Sequence, residues 1–326
     1  MTARVSVAAT ARLHLGFLDM NGALGRRFGG LGLALDSPAT RLTLEPAEEN
    51  SEENTVLGAE AARAERLLAK AQAALAPGKR HRLTVREAIP AHAGLGSGTQ
   101  LALAIASALR RLEDLPHDPA ADAALLDRGA RSGLGAGLFR LGGLVVDGGR
   151  GEHTQTPPVI ARLDVPQDWR ALLIGDPSAV GLHGEMEREA FADLPRMSNG
   201  ASGELCRLVL MQALPGVAEG DLPAFGAAVT RIQQIVGYYF APAQCGRRFA
   251  SAKVEAMVAR LLREGATGGG QTSWGPTGFV FVASEAEARR LVDAAQAEAD
   301  AAGLALSIAA PLNRGAKVDA VYARVA

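Results

Sequence analysis

The chain has 326 residues, more than a single core usually takes, so a large two-lobed domain or two domains is expected. Hydrophobic residues make up 48% and charged residues 21%, which excludes a largely disordered chain, and a formal net charge of −1 excludes the strong basic excess of a nucleic-acid binder. No leader pattern opens the sequence and no apolar run approaches the roughly 20 residues that span a bilayer, so a cytoplasmic protein without membrane contact is expected.

Residues 5–7 and 13–17 alternate as half-buried strands do, 29–35 continues as a short apolar run, and 39–44 alternates again. The acidic run 45–54, broken by Pro46, predicts a solvated loop. Leu67, Leu68 and Leu75 among alanines predict a helix over 59–76, ended by Pro77-Gly78, and the alternation of Leu83, Val85 and Glu87 predicts a strand over 82–89. A glycine-rich loop follows, then an alanine-rich helix over 101–112 and a shorter one over 119–129. Residues 138–146 read as a strand pair passing through Gly142-Gly143, and 169–174 as another strand. Composition shifts near residue 185, after which helices are expected over 185–192, 198–214, 221–235 and 249–264. Residues 265–278 read as a second glycine-rich loop and 279–282 as a buried strand; Ser284 caps a helix to residue 300, and strands over 304–309 and 318–325 close the chain. Cys206 and Cys245 lack metal-ligand spacing and read as small buried thiols of a reducing compartment. The whole predicts an α+β fold with a boundary in 165–185, dividing it into 1–170 and 171–326.

The loop Pro90-Ala91-His92-Ala93-Gly94-Leu95-Gly96-Ser97-Gly98-Thr99-Gln100 sits between a predicted strand and a predicted helix. Glycines admit positive φ and close approach of a ligand, successive amides converge on an anion, and the helix start adds free N–H groups. Ser97 and Thr99 add hydroxyl donors, so a phosphate or diphosphate is the natural guest. A P-loop is excluded because no Gly-Lys-Ser/Thr follows, and the spacing does not match a dinucleotide fingerprint. On the loop alone, a tight strand-to-helix turn without a ligand stays open.

Pro90 to Gln100 resembles the second motif of the GHMP superfamily of small-molecule kinases, with Gly98-Thr99 where the motif has Ser-Ala. Gly265 to Gly278, with its Gly-Gln-Thr-Ser-Trp-Gly-Pro-Thr form, stands at the place of the third. The resemblance is closer to one branch, the β-ribofuranosylaminobenzene 5′-phosphate synthases. It runs through Ala11 to Asp19, Gly29-Gly30-Leu31-Gly32, Arg131-Ser132-Gly133-Leu134-Gly135, Gly142 to Gly149 and the Gln271 loop, and so covers essentially the whole chain. It implies a GHMP kinase-like two-lobed fold, with a first lobe like domain 2 of ribosomal protein S5 and a ferredoxin-like α/β second lobe. It further implies condensation of phosphoribosyl pyrophosphate with 4-aminobenzoate or 4-hydroxybenzoate, loss of carbon dioxide and diphosphate, and a C-riboside on the way to tetrahydromethanopterin-type cofactors. A homodimer is usual for the branch. For this chemistry a magnesium ion is expected to help hold the diphosphate, and no pyridoxal phosphate or nucleotide cofactor is expected, because the arene itself is the electron sink. No carboxylate cluster in the sequence fixes the metal ligands. Two other readings stay open: an ATP-dependent kinase of a small alcohol, and a non-catalytic ligand sensor, against which the intact Ser97 and Arg12 argue.

Within that frame Arg12, His14 and Asp19 are the catalytic candidates. Arg12 stands in a strand among apolar neighbours and needs an anionic partner; His14 shares its face. His14 reads equally as a satisfied core histidine, and Asp19 as a turn cap. The substrate-binding candidates are Gly94, Leu95, Gly96, Ser97, Gly98, Thr99 and Gln100 of the loop, Arg26 and Arg27 as an anion clamp or a solvated turn, and Gln271, Thr272, Ser273 and Trp274 as polar and stacking groups at the cleft. His183, Glu185 and Glu187 form a further acidic turn, read by default as a helix N-terminus.

Overall fold

Val5, Val7, Ala9, Ala11, Leu13 and Leu15 all point into the interior, and this period of two carries one 18-residue strand, β1 (Thr2–Asp19), where the sequence suggested two. In this computed structural model, which describes residues 2–48, 51–182 and 184–322, β1 pairs antiparallel with the equally long β2 (Phe28–Pro46). Register shifts after Thr10 and after His14 bend the pair, so its two halves serve different neighbours. The near half of β2, Gly30–Leu33, pairs with β5 (Leu144–Asp147), which pairs with β6 (Val159–Leu163); the far half, Arg41–Pro46, pairs with β4 (His81–Glu87), and β3 (Thr55–Gly58) runs parallel to β4. The last strand, β11 (Lys317–Tyr322), returns to flank β1 and completes a seven-stranded sheet.

Helices α1 (Ala61–Leu75) and α2 (Ser97–Leu112) cover one face of this sheet. The buried stripe of α1 is Ala64, Leu67, Leu68 and Ala71, the spacing of one helical face. In α2 every residue from Gln100 to Leu109 is buried, which fixes the helix and the loop before it as a rigid centre. Two short helices follow, α3 (Pro119–Leu125) and α4 (Leu134–Leu141).

The second sheet holds β7 (Arg170–Gly175), β8 (Thr267–Gln271), β9 (Gly278–Val282) and β10 (Ala305–Ala309) in the order β10-β7-β9-β8, antiparallel throughout. That order is the ferredoxin-like one expected. Between β7 and β8 lie α5 (Gly184–Asp193), α6 (Asn199–Leu208), α7 (Leu214–Glu219), α8 (Leu222–Phe240) and α9 (Ala252–Arg263); α10 (Glu285–Ala302) connects β9 to β10, its start capped by the Ser284 hydroxyl. A π-helical turn over Val209–Ala213 joins α6 to α7. The largest core joins the two sheets and α8, with Phe17, Phe191, Phe240 and Trp274 meeting at its centre. Among the described residues no helix is long and apolar enough to cross a membrane.

The structure corrects several sequence readings. Residues 138–146 are not a strand pair: α4 ends at Leu141, and only β5 is a strand. Six of the eight α4 residues are buried, and a short helix buried nearly all round shows no helical period. The stretch 265–278 is not all loop, since Thr267–Gln271 is a strand. β2 carries on to Pro46, two residues into the acidic run, whose Glu49 and Asn50 lie outside the described residues. Strand β3, strand β6 and the break of 198–214 into three pieces carried no sequence signal. Cys206 and Cys245 are exposed rather than buried: Cys206 sits one residue beyond the buried Leu205 on α6, and Cys245 stands in a left-handed turn. The end of the predicted strand 318–325 falls outside the described residues.

Candidate functional site

The loop between β4 and α2 is left-handed at Gly94 and Gly96, which lets it double back before α2 begins at Ser97. Strand β1 ties to it through the Arg12 amide, which donates to the Leu95 carbonyl at 3.1 Å. The Arg12 side chain then lies across Gly96, with Cγ 2.8 Å and Nε 3.1 Å from the place a Cβ would take. Arg12 Nε and Nη1 are buried and have no hydrogen-bond partner. Burial pulls this guanidinium below its usual range, and Glu187 and Asp147 pull it back up. A buried cation without a partner is costly, so the arrangement is built for an anion that arrives.

Arg12 opens onto a cavity of about 600 Å³ lined by Gly94, Gly96, Ser97, Gly98 and Thr99. Ser273 and Trp274 close one wall, and Glu185 and Glu187 from α5 another. Two arginines that sequence reasoning missed complete it: Arg63 from α1 and Arg128 from the segment after α3. Arg63 Nη2 occupies the place that a Cβ on Gly98 would need, and Arg128 Nη1 lies 3.5 Å from it. Three guanidinium groups thus surround the N-terminal turn of α2, whose free amides and dipole favour negative charge. The site is the size of a small-molecule pocket and carries three guanidinium groups and the carboxylates of Glu185 and Glu187 on its wall.

His14 stands deeper. It is 3% exposed, its Nε2 is buried without a partner, and its ring lies 4.4 Å from that of Phe17. Burial, aided by the charge of Arg12, pushes its pKa down to about 3, so the imidazole is neutral at physiological pH. His14 and Asp147 flank Gly30: a Cβ there would meet His14 Nε2 at 3.3 Å and Asp147 Oδ2 at 3.5 Å. Asp147 is fully buried at the end of β5. Its carboxylate accepts from the Ser132 hydroxyl at 2.8 Å and from the amides of Gly133 and Gly149 at 3.1 and 2.9 Å. Burial raises its pKa and those hydrogen bonds work against the rise. Asp147 is not on the cavity wall; it ties the Ser132-Gly133 turn and the Gly149 amide together behind Gly30.

The second loop is locked to the first by one hydroxyl. Thr272 Oγ1 accepts from the His14 amide at 2.9 Å and donates to the Gly94 carbonyl at 3.0 Å, and the Ser273 amide donates to the His14 carbonyl at 3.4 Å. Ser273 faces the cavity in a left-handed conformation. Trp274 lines it too; its ring stacks on Phe240 at 4.1 Å and stands edge-to-face with Phe191 at 5.2 Å, and its Nε1 is buried and unpartnered. Gln271 is engaged within the protein, accepting from the Ala250 amide and donating to Gln244. Leu95 packs in the core, and Gln100 donates to the Gly135 carbonyl at 3.1 Å.

The remaining candidates lie elsewhere. Asp19 Oδ1 accepts from the amides of Asn21 and Gly22 and from the Ser202 hydroxyl, the work of a turn cap. Arg26 is held on the Gly148 and Gly149 carbonyls, and Arg27 lies over the Phe28 ring at 5.2 Å; neither is on the cavity wall. Glu187 pairs with Arg131 at 3.2 Å, and Arg131 rests on the Phe191 ring. His183 lies outside the described residues. Among the described residues no three carboxylate, histidine or cysteine groups gather as a metal cluster.

Known proteins agree with this geometry. The family model described as the GHMP kinases N terminal domain matches residues 56–138, and that described as GHMP kinases C terminal matches 213–301. Among solved structures, mevalonate diphosphate decarboxylase from Staphylococcus aureus superposes with a TM-score of 0.67 at 13% identity, covering 98% of both chains. Homoserine kinase from Cytophaga hutchinsonii superposes with a TM-score of 0.64 at 16% identity, again over 98% of both. These likenesses show the α+β two-lobed GHMP fold. Among curated proteins, the beta-ribofuranosylphenol 5'-phosphate synthase of Archaeoglobus fulgidus is 37% identical over 238 residues, covering 69% of this chain and 74% of that one. That of Methanothermobacter thermautotrophicus is 30% identical over 295 residues, covering 85% and 88%. The chain therefore belongs to the beta-ribofuranosylphenol 5'-phosphate synthase family, enzymes built on the GHMP kinase fold.

Proposed function

We propose that the enzyme joins C1 of phosphoribosyl pyrophosphate to the carboxylate-bearing ring carbon of 4-hydroxybenzoate or 4-aminobenzoate, releasing diphosphate and carbon dioxide. The bond from C1 to diphosphate breaks and its electron pair leaves with the diphosphate. The ring carbon supplies the pair for the new C–C bond, and the para substituent stabilises the resulting cation. The bond to the carboxylate then breaks, its electron pair restores the arene, and carbon dioxide departs. No redox partner is required and the charges balance.

The observation that carries this reading is Arg12, lying across Gly96 at the head of α2 with its guanidinium Nε and Nη1 buried and unpartnered. It aims fixed positive charge at the place where a leaving diphosphate gathers negative charge, which is where electrostatic catalysis acts. The names of the relatives support the product class. Asp19 serves as a turn cap away from the cavity, so in a kinase reading the carboxylate that activates an alcohol would have to be Glu185 or Glu187 on the wall.

A magnesium ion bound to diphosphate usually keeps only one or two protein oxygens, which the wall provides in Glu185 and the Ser97 hydroxyl. When bound there it would neutralise the charge of the leaving group. A homodimer in solution and a cytoplasmic location complete the proposal. The test offers purified protein phosphoribosyl pyrophosphate with carboxyl-labelled 4-hydroxybenzoate or 4-aminobenzoate. Labelled carbon dioxide is expected; none, together with ATP turnover on a small alcohol, would leave a kinase, and tight binding without any turnover would leave a sensor.

A further inference from the structure

We infer that Arg63 and Arg128 hold the second anionic group of the donor, its 5-phosphate, so that the cavity reads both ends of a phosphoribosyl diphosphate. The inference rests on the reading proposed above and assigns the two arginines a separate task from Arg12.

The two side chains come from different elements, α1 and the segment after α3, and converge on one glycine of α2. Gly98 has no side chain, so the Arg63 guanidinium lies directly on the helix there. Like charges held side by side repel: burial, and after it the charge of Arg63, lowers the pKa of Arg128. Each arginine has a carboxylate neighbour that leaves part of its fork over: Glu60 pairs with Arg63 Nη1 at 3.5 Å while Nη2 lies on Gly98, and Asp127, itself paired with Lys70, pulls the pKa of Arg128 back up; Glu187 is paired with Arg131. Arg128 Nε is buried and without a hydrogen-bond partner. Two guanidinium forks presented together match the oxygens of one phosphate monoester, which accepts bidentate hydrogen bonds from each.

The division of labour follows from depth. Arg12 lies against Gly96 with Nε and Nη1 both buried, which makes this the drier end of the cavity. Bond cleavage gains most from fixed charge where water is excluded, so the diphosphate belongs there. Arg63 and Arg128 stand on the other side of the glycine turn, at Gly98, and suit the group that is carried through the reaction unchanged. A substrate anchored at both ends has its C1 held in place, and binding energy from the remote phosphate serves the reacting end.

Calorimetry with ribose 5-phosphate and with inorganic diphosphate, each alone, separates the two ends. Arg63→Gln and Arg128→Gln are each expected to weaken ribose 5-phosphate about tenfold, the loss of one charge-assisted pair, and diphosphate less than about twofold. Arg12→Gln is expected to do the reverse. Arg128→Lys keeps the charge without the fork and should fall between wild type and Arg128→Gln, which carries the test if a glutamine variant melts early. Equal weakening of both ligands in folded variants, no weakening of either, or a wild type that does not bind ribose 5-phosphate would overturn the inference. Failure of the underlying reading looks different: the wild type then releases no carbon dioxide, whereas here the release persists and the arginine variants leave ribose 5-phosphate untouched.

Discussion

Arg12 and Gly96 occupy one another's space: the arginine stem runs where a side chain on the glycine would begin, with Cγ 2.8 Å from that point. Gly96 is also left-handed, at φ 83°. Gly96→Ala therefore carries two penalties, backbone strain and a displaced guanidinium. A loss of about 1–3 kcal/mol in unfolding free energy is expected, with kcat/KM down about 100-fold or more from misplacement of Arg12. Urea unfolding and steady-state kinetics on the same preparation check both.

Arg12→Met is expected to separate stability from activity. Two of the guanidinium nitrogens, Nε and Nη1, lack partners in the free protein, so an apolar stem of similar length should leave the melting temperature unchanged or raise it. Activity should fall by about 10²–10³ in kcat, the usual loss when one preorganised donor to a developing anion is removed. A melting temperature that falls with activity would mean that Arg12 is a structural residue.

The pH dependence of stability should carry the mark of His14. Its folded pKa of about 3 lies below the ordinary 6.5, so the unfolded chain takes up the proton first. The stability it contributes is complete above pH 6.5 and is lost progressively as pH falls from there towards 3. In His14→Asn that part of the acid sensitivity should vanish, seen as a flatter plot of urea midpoint against pH. An unaltered plot would place the acid sensitivity elsewhere.

Thr272 joins the two glycine loops through a single oxygen, with the His14 amide on one side and the Gly94 carbonyl on the other. Thr272→Val keeps the shape and leaves both groups unpaired in a buried place. A loss of about 2–4 kcal/mol is expected from two such bonds, along with a raised KM for the donor, because the loop holding Gly94 is no longer pinned. Thermal unfolding and donor saturation curves measure the two effects.

What the sequence made legible was local. The 94–100 loop is an anion turn because its glycines and hydroxyls are consecutive, and Arg12 could be placed on a strand face by alternation alone. Arg63 could not be singled out, because α1 also carries Arg66 and only packing decides that Arg63 turns toward Gly98. Arg128 is likewise brought to Gly98 by packing alone, across a distance in sequence that no period spans. The strand Thr267–Gln271 hid behind Gly268, Gly269 and Gly270, which are small because α8 and α9 lie against them; Gln233 of α8 fills the place of a Cβ on Gly270. Asp19 and Gln271 looked chemical from their types and turned out to be bound within the protein.

In the proposed reaction the cradle of Gly94 to Thr99 with Arg12 holds a leaving diphosphate while the acceptor loses its carboxyl group. The most direct measurement counts diphosphate by phosphorus resonance and labelled carbon dioxide by trapping in the same reaction. The account requires one of each per phosphoribosyl pyrophosphate consumed, with both falling together in Arg12→Met. Diphosphate released without carbon dioxide, or carbon dioxide released at an undiminished rate by Arg12→Met, would contradict it.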